Sequence, residues 1–178
     1  MADYHTYFVA DIGVLVHNDC GETKVLARTV GVDKASEEVV TLYHGTSKLG
    51  AKSIRMNGVD LQHVNRDMDF GRGFYTTTIK KQAESWARRK KGEVIKFEIP
   101  KNELDKLNSK VFSSANDEWV KQVTDGRRGI NHGYDSISGP MLSNPSQYLN
   151  GLEAAKSHGQ QTTFNTQRAV DLLNKFMK

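Results

Sequence analysis

Cysteine is almost absent from this chain, which carries one, Cys20, among 178 residues. A single thiol excludes an internal disulfide framework and leaves too few ligands for a cysteine-rich zinc cluster. The six histidines show none of the short spacings that place two imidazoles on one metal ion. We therefore expect no bound metal.

Long apolar runs are also missing. The stretch YFVADIGVLV at residues 7–16 is interrupted by charge and glycine, and it is shorter than the ~20 residues that a membrane-spanning helix needs. We expect no membrane insertion. No succession of basic, apolar and small residues typical of a secretory signal opens the sequence, so we expect export to depend on a larger precursor or a partner. The net charge of +4 is compatible with an anionic partner but identifies none.

Strands and helices follow one another in an irregular order, which predicts an α+β fold. Helices are predicted at KLGAKSIRMNG, KKQAESWARRKKG, NDEWVKQVTDGRRG and NTQRAVDLLNKFMK, and strands at VVTLYHGTS, EVIKFEIP, YDSISGPML and QQTTF. In the first helix we expect Leu49, Ile54 and Met56 to face inward and Gly58 to cap the end. Gly92 is expected to cap the second helix, and residues 143–159 to form a mobile excursion.

The stretch DFGRGFYTTT, residues 69–78, places Gly71 and Gly73 on either side of Arg72. Glycine lets the backbone take positive φ angles and approach a ligand closely. Two interpretations remain open on this segment alone. It is either a glycine turn that leads into a core strand, or a loop shaped around a nucleotide.

Three other segments bear on that choice. In LYHGTS, His44 lies at a strand end beside Gly45, and the hydroxyls of Thr46 and Ser47 follow, so the segment offers donors and acceptors to a ribose and a carboxamide. Asn65 and Arg66 precede the glycine stretch, where a guanidinium fork could hold a pyrophosphate. A polar residue, Gln161, stands near the start of the late strand QQTTF.

The ordered series of motifs in this chain resembles the ADP-ribosyltransferase-like toxin domains at the C-terminal ends of bacterial polymorphic toxins. The motifs are, in order, LYHGTS, NRDMDFGRGFYTTT with QAESWA, EW, YDSISGP and QTTFNTQRAVDLL. These domains belong to the diphtheria-toxin and poly-ADP-ribose-polymerase side of the superfamily. The resemblance covers about residues 39–176. It implies an ADP-ribosyltransferase fold, in which two small split sheets with flanking helices surround a cleft for NAD, the substrate.

The resemblance also implies roles for individual residues. His44 would hydrogen-bond the adenosine ribose, the backbone of Gly45 would hold the nicotinamide carboxamide, and Tyr75 would stack on the nicotinamide ring. Arg66 would contact phosphate. The implied NAD-binding set is completed by Thr46, Asn65, Phe70, Gly71 and Gly73. Phe74 and Tyr75 point to opposite faces of a strand, so we expect one of them to belong to the core.

Position 161 departs from the pattern of the family. Many ADP-ribosyltransferases place there a glutamate that stabilises the oxocarbenium-like centre, whereas this chain has Gln161. A neutral amide can orient the ribose but supplies no negative charge. Glu118 in the EW segment is a candidate for the missing charge, and its alternative is an ordinary surface residue of a helix. We therefore expect mono-ADP-ribosylation rather than chain elongation, with catalysis assigned to His44, Tyr75, Gln161 and Glu118.

The N-terminal segment DYHTYFVADIGVLVHNDC predicts a hairpin and resembles the last strands of a Hint domain, the self-cleaving module that precedes many such toxins. His17 and Asn18 match the activating and cyclising positions of that family. The rest of a Hint domain is absent, so we expect no cleavage. The predicted organisation is a Hint remnant over residues 1–18, a linker over 19–38 and a toxin domain over 39–178.

The combined prediction is a mono-ADP-ribosyltransferase toxin that uses NAD and modifies an unidentified protein or nucleic acid. It would be secreted or delivered within a larger protein, act in the cytoplasm of a competing cell and be blocked by a cognate immunity protein. Two alternatives stay open. One is an NAD glycohydrolase that depletes NAD, and the other is a non-catalytic module that binds NAD or nucleic acid, for which Gln161 is the best support.

Overall fold

The computed structural model describes residues 7–9, 14–16, 38–64 and 68–178. The chain divides between Ala35 and Ser36 into two units. In the first unit, β1 (Tyr7–Val9) pairs antiparallel with β2 (Val14–Val16). This pairing confirms the hairpin predicted near the N-terminus. His17 and Asn18 lie outside the described residues, and their role stays a prediction.

The second unit begins with β3 and ends with α6. Its strands are β3 (Val39–Thr46), β4 (Phe74–Thr76), β5 (Glu93–Pro100), β6 (Ser109–Val111), β7 (Ser136–Leu142) and β8 (Ser157–Phe164). Its helices are α1 (Lys48–Asn57), α2 (Lys80–Arg89), α3 (Lys101–Leu104), α4 (Asp117–Arg127), α5 (Pro145–Leu149) and α6 (Gln167–Lys175), and a 3₁₀ turn spans Leu61–His63. In the described part of the chain, none of the helices combines the length and apolarity needed to cross a membrane.

Two small sheets form the framework of this unit, which confirms the α+β class. One sheet is the antiparallel pair β3–β5. The other has the strand order β4-β8-β7-β6, in which β6 and β7 run parallel and the remaining pairs are antiparallel. A single antiparallel bridge between Tyr43 and Thr77 joins β3 to the residue that follows β4.

Two apolar clusters hold these sheets against the helices. Along β5, Ile95, Phe97 and Ile99 are buried, because alternate side chains of a strand point to the same face. They pack in one cluster with the buried face of α6. The second cluster places Trp119 and Val123 of α4 against the four-stranded sheet, and these inward positions confirm the predicted helix.

The inward face of α1 differs from the prediction. Leu49 is 81% exposed and Met56 is 70% exposed, while Ala51 is buried and Ile54 is partly buried. The prediction is confirmed for Ile54, which packs against the core, and is wrong for Leu49 and Met56. Ala51 and Ile54, three residues apart, form the inward stripe, and Leu49 and Met56 lie off it. Gly58 does end the helix, since it takes a φ of +79° and its N–H donates to the carbonyl of Ile54.

The end of α2 also differs from the prediction. Lys91, not Gly92, takes a positive φ of +49°. Gly92 instead packs against the backbone of β3, where a Cβ would collide with the carbonyl oxygen of Thr46. Glycine is therefore needed here for close packing and not as the helix cap.

Residues 143–159 have more regular structure than predicted. They contain α5 and the start of β8, and Asn144 holds the segment together. Its Nδ2 donates to the carbonyl of Ala154 at 2.9 Å, and its Oδ1 accepts from the backbone N–H of Lys156 at 2.8 Å. The segment therefore contains regular structure held by a buried polar side chain, which its composition does not reveal, and its mobility stays a prediction.

Candidate functional site

A cavity opens where β3 and β4 stop pairing. Tyr43 and Thr77 exchange two backbone hydrogen bonds, of 2.8 and 2.9 Å. The next pair along would be Gly45 and Tyr75, but in the described residues the ladder does not continue to them. Both residues line a cavity of about 720 Å³, which we call the cleft. Its volume falls within the range of roughly 300–1,000 Å³ that is typical of small-molecule sites.

The backbone of Gly45 faces the cleft. In an antiparallel ladder the N–H and C=O of one residue point to the same side, and the side alternates from residue to residue. Those of Tyr43 point at Thr77, away from β5, so those of Gly45 point the same way two residues later. Because Gly45 is past the last bridge, its donor and acceptor face the cleft as an adjacent pair. Such a pair matches the two hydrogen-bonding groups of a carboxamide.

Gly45 also has a packing role that the sequence does not reveal. A Cβ at this position would collide with the carbonyl oxygen of Ala83 and lie 2.8 Å from the backbone nitrogen of Ala87. Helix α2 therefore crosses directly over β3 at this glycine. Ala83 and Ala87 are buried, and Trp86 on the same helix lines the cleft.

His44 is held in one tautomer. Its Nδ1 lies 2.7 Å from the carbonyl oxygen of Tyr75, and a carbonyl only accepts, so Nδ1 carries the proton. The neutral ring then presents Nε2 as an acceptor. Burial lowers the pKa of His44 from 6.5 to about 4, and the nearby charge of Lys90 adds to the effect. The imidazole is therefore neutral at pH 7 and lines the cleft as a hydrogen-bond acceptor.

Tyr75 lines the cleft, and its hydroxyl is bonded to the loop before it. The hydroxyl accepts from the backbone N–H of Phe70 at 2.9 Å and donates to the carbonyl of Gly71 at 2.8 Å. Burial raises the pKa of Tyr75 above its ordinary value. Phe74 and Tyr75 are both buried, in different apolar clusters, and the ring of Phe74 lies 4.3 Å from that of His44.

The glycine stretch is a fixed turn. Gly71 takes a φ of +74°, and a Cβ on Gly73 would lie 2.8 Å from Nδ2 of Asn165. That Nδ2 donates to the carbonyls of Phe70 and Arg72 at 3.0 and 2.8 Å. Gly73 lines the cleft, whereas Phe70 and Gly71 lie behind it. The segment is thus a turn into a core strand, and one of its glycines also borders the cavity.

A carboxylate network lines the cleft on the side of β8. We use this name for Asp69, Arg127, Gln161 and the backbone N–H of Leu142. Oδ1 of Asp69 accepts from Nε and Nη2 of Arg127 at 2.9 and 2.5 Å. Oδ2 accepts from the N–H of Leu142 and from Nε2 of Gln161, each at 2.8 Å. Asp69 and Gln161 are each only 3% exposed, whereas the Arg127 side chain is 17% exposed.

Glu118 lies outside the cleft. Its side chain is 61% exposed, and its Oε1 accepts from Nζ of Lys110 at 2.5 Å. The structure thus places it at an ordinary surface position in the first turn of α4, where the helix dipole stabilises a carboxylate. Glu118 is not among the residues that line the cleft, and the site proposed below does not include it.

The predicted residues divide into three groups. His44, Gly45, Thr46, Gly73, Tyr75 and Gln161 line the cleft together. Phe70, Gly71 and Glu118 do not. Asn65 and Arg66 lie outside the described residues, and their contact with phosphate stays a prediction.

Sequence reasoning missed several residues of the cleft. Asp69 and Arg127 are separated by 58 positions, and no local pattern pairs them. One signal was available in DGRRG, because Gly126 lets α4 approach the loop, where a Cβ would lie 2.6 Å from the nitrogen of Gly71. Lys90 belongs to the predicted helix segment KKQAESWARRKKG, and the structure shows that it also lines the cleft. Within the described residues, no three side chains among histidine, cysteine, aspartate and glutamate cluster as metal ligands would.

A comparison with models of protein families identifies the family of this chain. Residues 40–175, more than half of the sequence, match the model of a family described as "Protein of unknown function (DUF3990)". The chain belongs to this family. The match spans β3 to α6, and so it includes every described residue of the cleft. No curated protein matches the chain.

Proposed function

We propose that the cleft binds NAD and that the protein is a mono-ADP-ribosyltransferase. The observation that carries the proposal is the convergence of the Gly45 backbone pair, the neutral imidazole of His44 and the ring of Tyr75 on one cavity. A dinucleotide offers a matching set of groups: a planar carboxamide, an aromatic ring and two ribose diols. The ADP-ribosyltransferase fold itself is part of this proposal.

In the proposed complex, the nicotinamide carboxamide donates to the carbonyl of Gly45 and accepts from its N–H. The rings of Tyr75 and Trp86 supply aromatic surface for the nicotinamide. Nε2 of His44 accepts from a hydroxyl of the adenosine ribose. Lys90 has no ion-pair partner among the described residues and lines the cleft, so it supplies a cation for the phosphates.

The proposed reaction is a dissociative displacement at C1′ of the nicotinamide ribose. The bond from C1′ to the nicotinamide nitrogen breaks, and neutral nicotinamide leaves with the electron pair. An oxocarbenium-like sugar forms, and a nucleophile of the acceptor adds to C1′ and loses a proton to solvent. Holding the leaving group and the ribose in one pose supplies the orientation that such a step needs. Water as the acceptor would make the protein an NAD glycohydrolase.

A second candidate function is binding of NAD without turnover. Among the described residues that line the cleft, the acidic ones are Asp60 and Asp69. Asp60 caps the turn at Leu61–His63 and pairs with His63, and Asp69 is bonded within the carboxylate network. Neither is free to face the developing cation, and Gln161 is neutral. This observation favours a binding module over a fast enzyme.

Release of nicotinamide separates these functions. The wild-type protein is incubated with NAD, with and without bacterial lysate, and nicotinamide and free ADP-ribose are measured by chromatography. If the protein transfers ADP-ribose, nicotinamide is released when lysate is present, and ADP-ribose becomes attached to macromolecules. If the protein hydrolyses NAD, nicotinamide and free ADP-ribose appear in equal amounts without lysate. His158 is exposed and lies outside the cleft, so His158→Ala is the control. Release of nicotinamide that is lost in His44→Ala but kept in His158→Ala assigns the activity to the cleft. Absence of nicotinamide release both with and without lysate would contradict the proposed enzymatic activity.

The biological setting is proposed with the reaction. The protein would act as a toxin in the cytoplasm of a competing cell, after delivery within a larger secreted protein, and a cognate immunity protein would block it. Inducible expression in a bacterium tests this setting. Growth arrest by the wild type and normal growth with His44→Ala are expected, and equal growth of both strains would contradict a toxic role.

A further inference from the structure

The side-chain amide of Gln161 has one orientation that its surroundings permit. Its Nε2 lies 2.8 Å from Oδ2 of Asp69 and 3.4 Å from the carbonyl oxygen of Pro140. Both neighbours are acceptors, and an ionised carboxylate has no hydrogen to donate. A flipped amide would place Oε1 against two oxygens. The hydrogen-bond partners therefore fix Nε2 on the inner side.

This orientation leaves Oε1 as the free end of the amide. In the part of the chain that the structure describes, no donor to Oε1 is recorded, although Gln161 is buried and lines the cleft. An amide oxygen accepts hydrogen bonds from hydroxyls such as those of a sugar. The cleft wall at position 161 is thus an acceptor without charge.

We propose that Asp69 is a positioning residue, which holds the Gln161 amide with Oε1 turned to the ligand and excludes an ionised carboxylate from position 161. The identity of the ligand group as a ribose hydroxyl rests on the proposed function. The orientation and the exclusion do not, because they follow from Asp69, Arg127 and Leu142 alone.

The exclusion follows from charge and burial. A glutamate at position 161 would bring two carboxyl groups to hydrogen-bond distance in a site where each is almost fully buried. Only one of the two can ionise at low cost there, because like charges at close range repel strongly in a low-dielectric site. Arg127 and the N–H of Leu142 already donate hydrogen bonds to the two oxygens of Asp69. The introduced glutamate would therefore stay protonated near neutral pH, with a pKa raised above the ordinary value of about 4.3.

The first test observes the amide directly and uses no NAD. In a ¹⁵N-correlated spectrum of the whole chain, the side-chain NH₂ of Gln161 is assigned by its loss in Gln161→Met. The exposed neighbour Gln160 serves as the internal reference. We expect one Gln161 proton downfield of the reference and slow to exchange, and we expect Asp69→Asn to remove both features. If the Gln161 side-chain protons of the wild type have the same chemical shifts and exchange rates as those of Gln160, the proposal is overturned. This outcome does not depend on whether Asp69→Asn folds.

The second test measures stability against pH. Gln161→Glu and the neutral, equally long Gln161→Met are unfolded by heat between pH 4.5 and 7.5. A raised folded-state pKa costs stability as the pH rises, so the melting temperature of Gln161→Glu should fall relative to that of Gln161→Met. The double variant Asp69→Asn/Gln161→Glu has one carboxyl group and should lose this pH dependence. A constant difference between Gln161→Glu and Gln161→Met overturns the exclusion.

The two tests separate this inference from the proposed function. Calorimetry of the wild type with NAD is run beside them. If the amide is fixed and the pH effect appears but NAD does not bind, the proposed function fails and the positioning role of Asp69 stands. If NAD binds and the amide is free, the proposed function survives and the positioning role is refuted.

Discussion

The two walls of the cleft use different chemistry. The β3 wall presents the neutral imidazole of His44 and the backbone N–H and C=O of Gly45, which point away from β5. The opposite wall, formed by β4 and β8, is backed by the buried ion pair of Asp69 and Arg127. The first wall offers hydrogen-bonding groups directly, whereas the second uses buried charge to orient a neutral side chain. The charged groups on that side also line the cavity, but they are paired with each other.

This difference predicts that substitutions on the two walls will change the free energy of unfolding by different amounts. The β3 wall depends on groups that are adjacent in sequence and need few partners. The other wall depends on four groups from distant parts of the chain, so removal of one member takes a hydrogen-bond partner from a buried group. We therefore expect substitutions in the carboxylate network to cost more stability than substitutions on the β3 wall.

The largest effect is expected for Arg127→Met. This change leaves the Asp69 carboxylate buried without its cation, and loss of one partner of a buried pair costs about 3–5 kcal/mol. Urea unfolding followed by circular dichroism measures it. The control is Lys121→Met on the same helix, which breaks the exposed pair with Asp125 and should cost at most about 1 kcal/mol. Equal losses would mean that the network does not carry stability.

A smaller effect is expected from the titration of His44. Its pKa is about 4 in the folded protein and near 6.5 when unfolded, so the unfolded chain binds the proton first as the pH falls. Stability should then fall between pH 6.5 and 4, by about 2–3 kcal/mol at 1.36 kcal/mol per pKa unit. Urea unfolding across this range compares the wild type with His44→Asn. Parallel curves would show that His44 titrates normally.

The third effect concerns the hydroxyl of Tyr75. In Tyr75→Phe, the N–H of Phe70 and the carbonyl of Gly71 lose their bonds to it, which costs about 1–3 kcal/mol for buried groups. The control is Tyr148→Phe, whose hydroxyl pairs with Thr124, a side chain that also bonds the carbonyl of Val120. Thermal unfolding of both variants measures the difference. A smaller loss at Tyr75 than at Tyr148 would contradict a fixed glycine turn.

The sequence predicts best where one local rule decides the structure. Alternation in EVIKFEIP predicts β5, and helical spacing around Trp119 predicts α4, because each pattern reports one buried face. The inward face of α1 is missed because a ten-residue helix with a single buried residue carries a weak pattern. The packing role of Gly92 is missed because it depends on β3, more than forty positions away.

The same limit applies to the candidate site. His44 and Gly45 are found from one short motif, and Tyr75 from another. Asp69, Leu142 and Gln161 meet only after β7 and β8 have paired, through bonds that span 73 and 92 positions. Such bonds leave no periodic trace in the sequence. Glu118 was a candidate because of its charge, and its exposure is a property that only the fold decides.

The binding of NAD to the cleft is the central claim, and titration calorimetry tests it most directly. The wild type, His44→Ala and His158→Ala are titrated with NAD at pH 7.5. We predict binding at one site in the wild type and in His158→Ala, and an affinity at least about tenfold lower in His44→Ala, because a hydrogen bond worth about 1.4 kcal/mol is lost. Absence of binding heat in the wild type at several temperatures, or equal affinity in all three proteins, would contradict the assignment of NAD to this cleft.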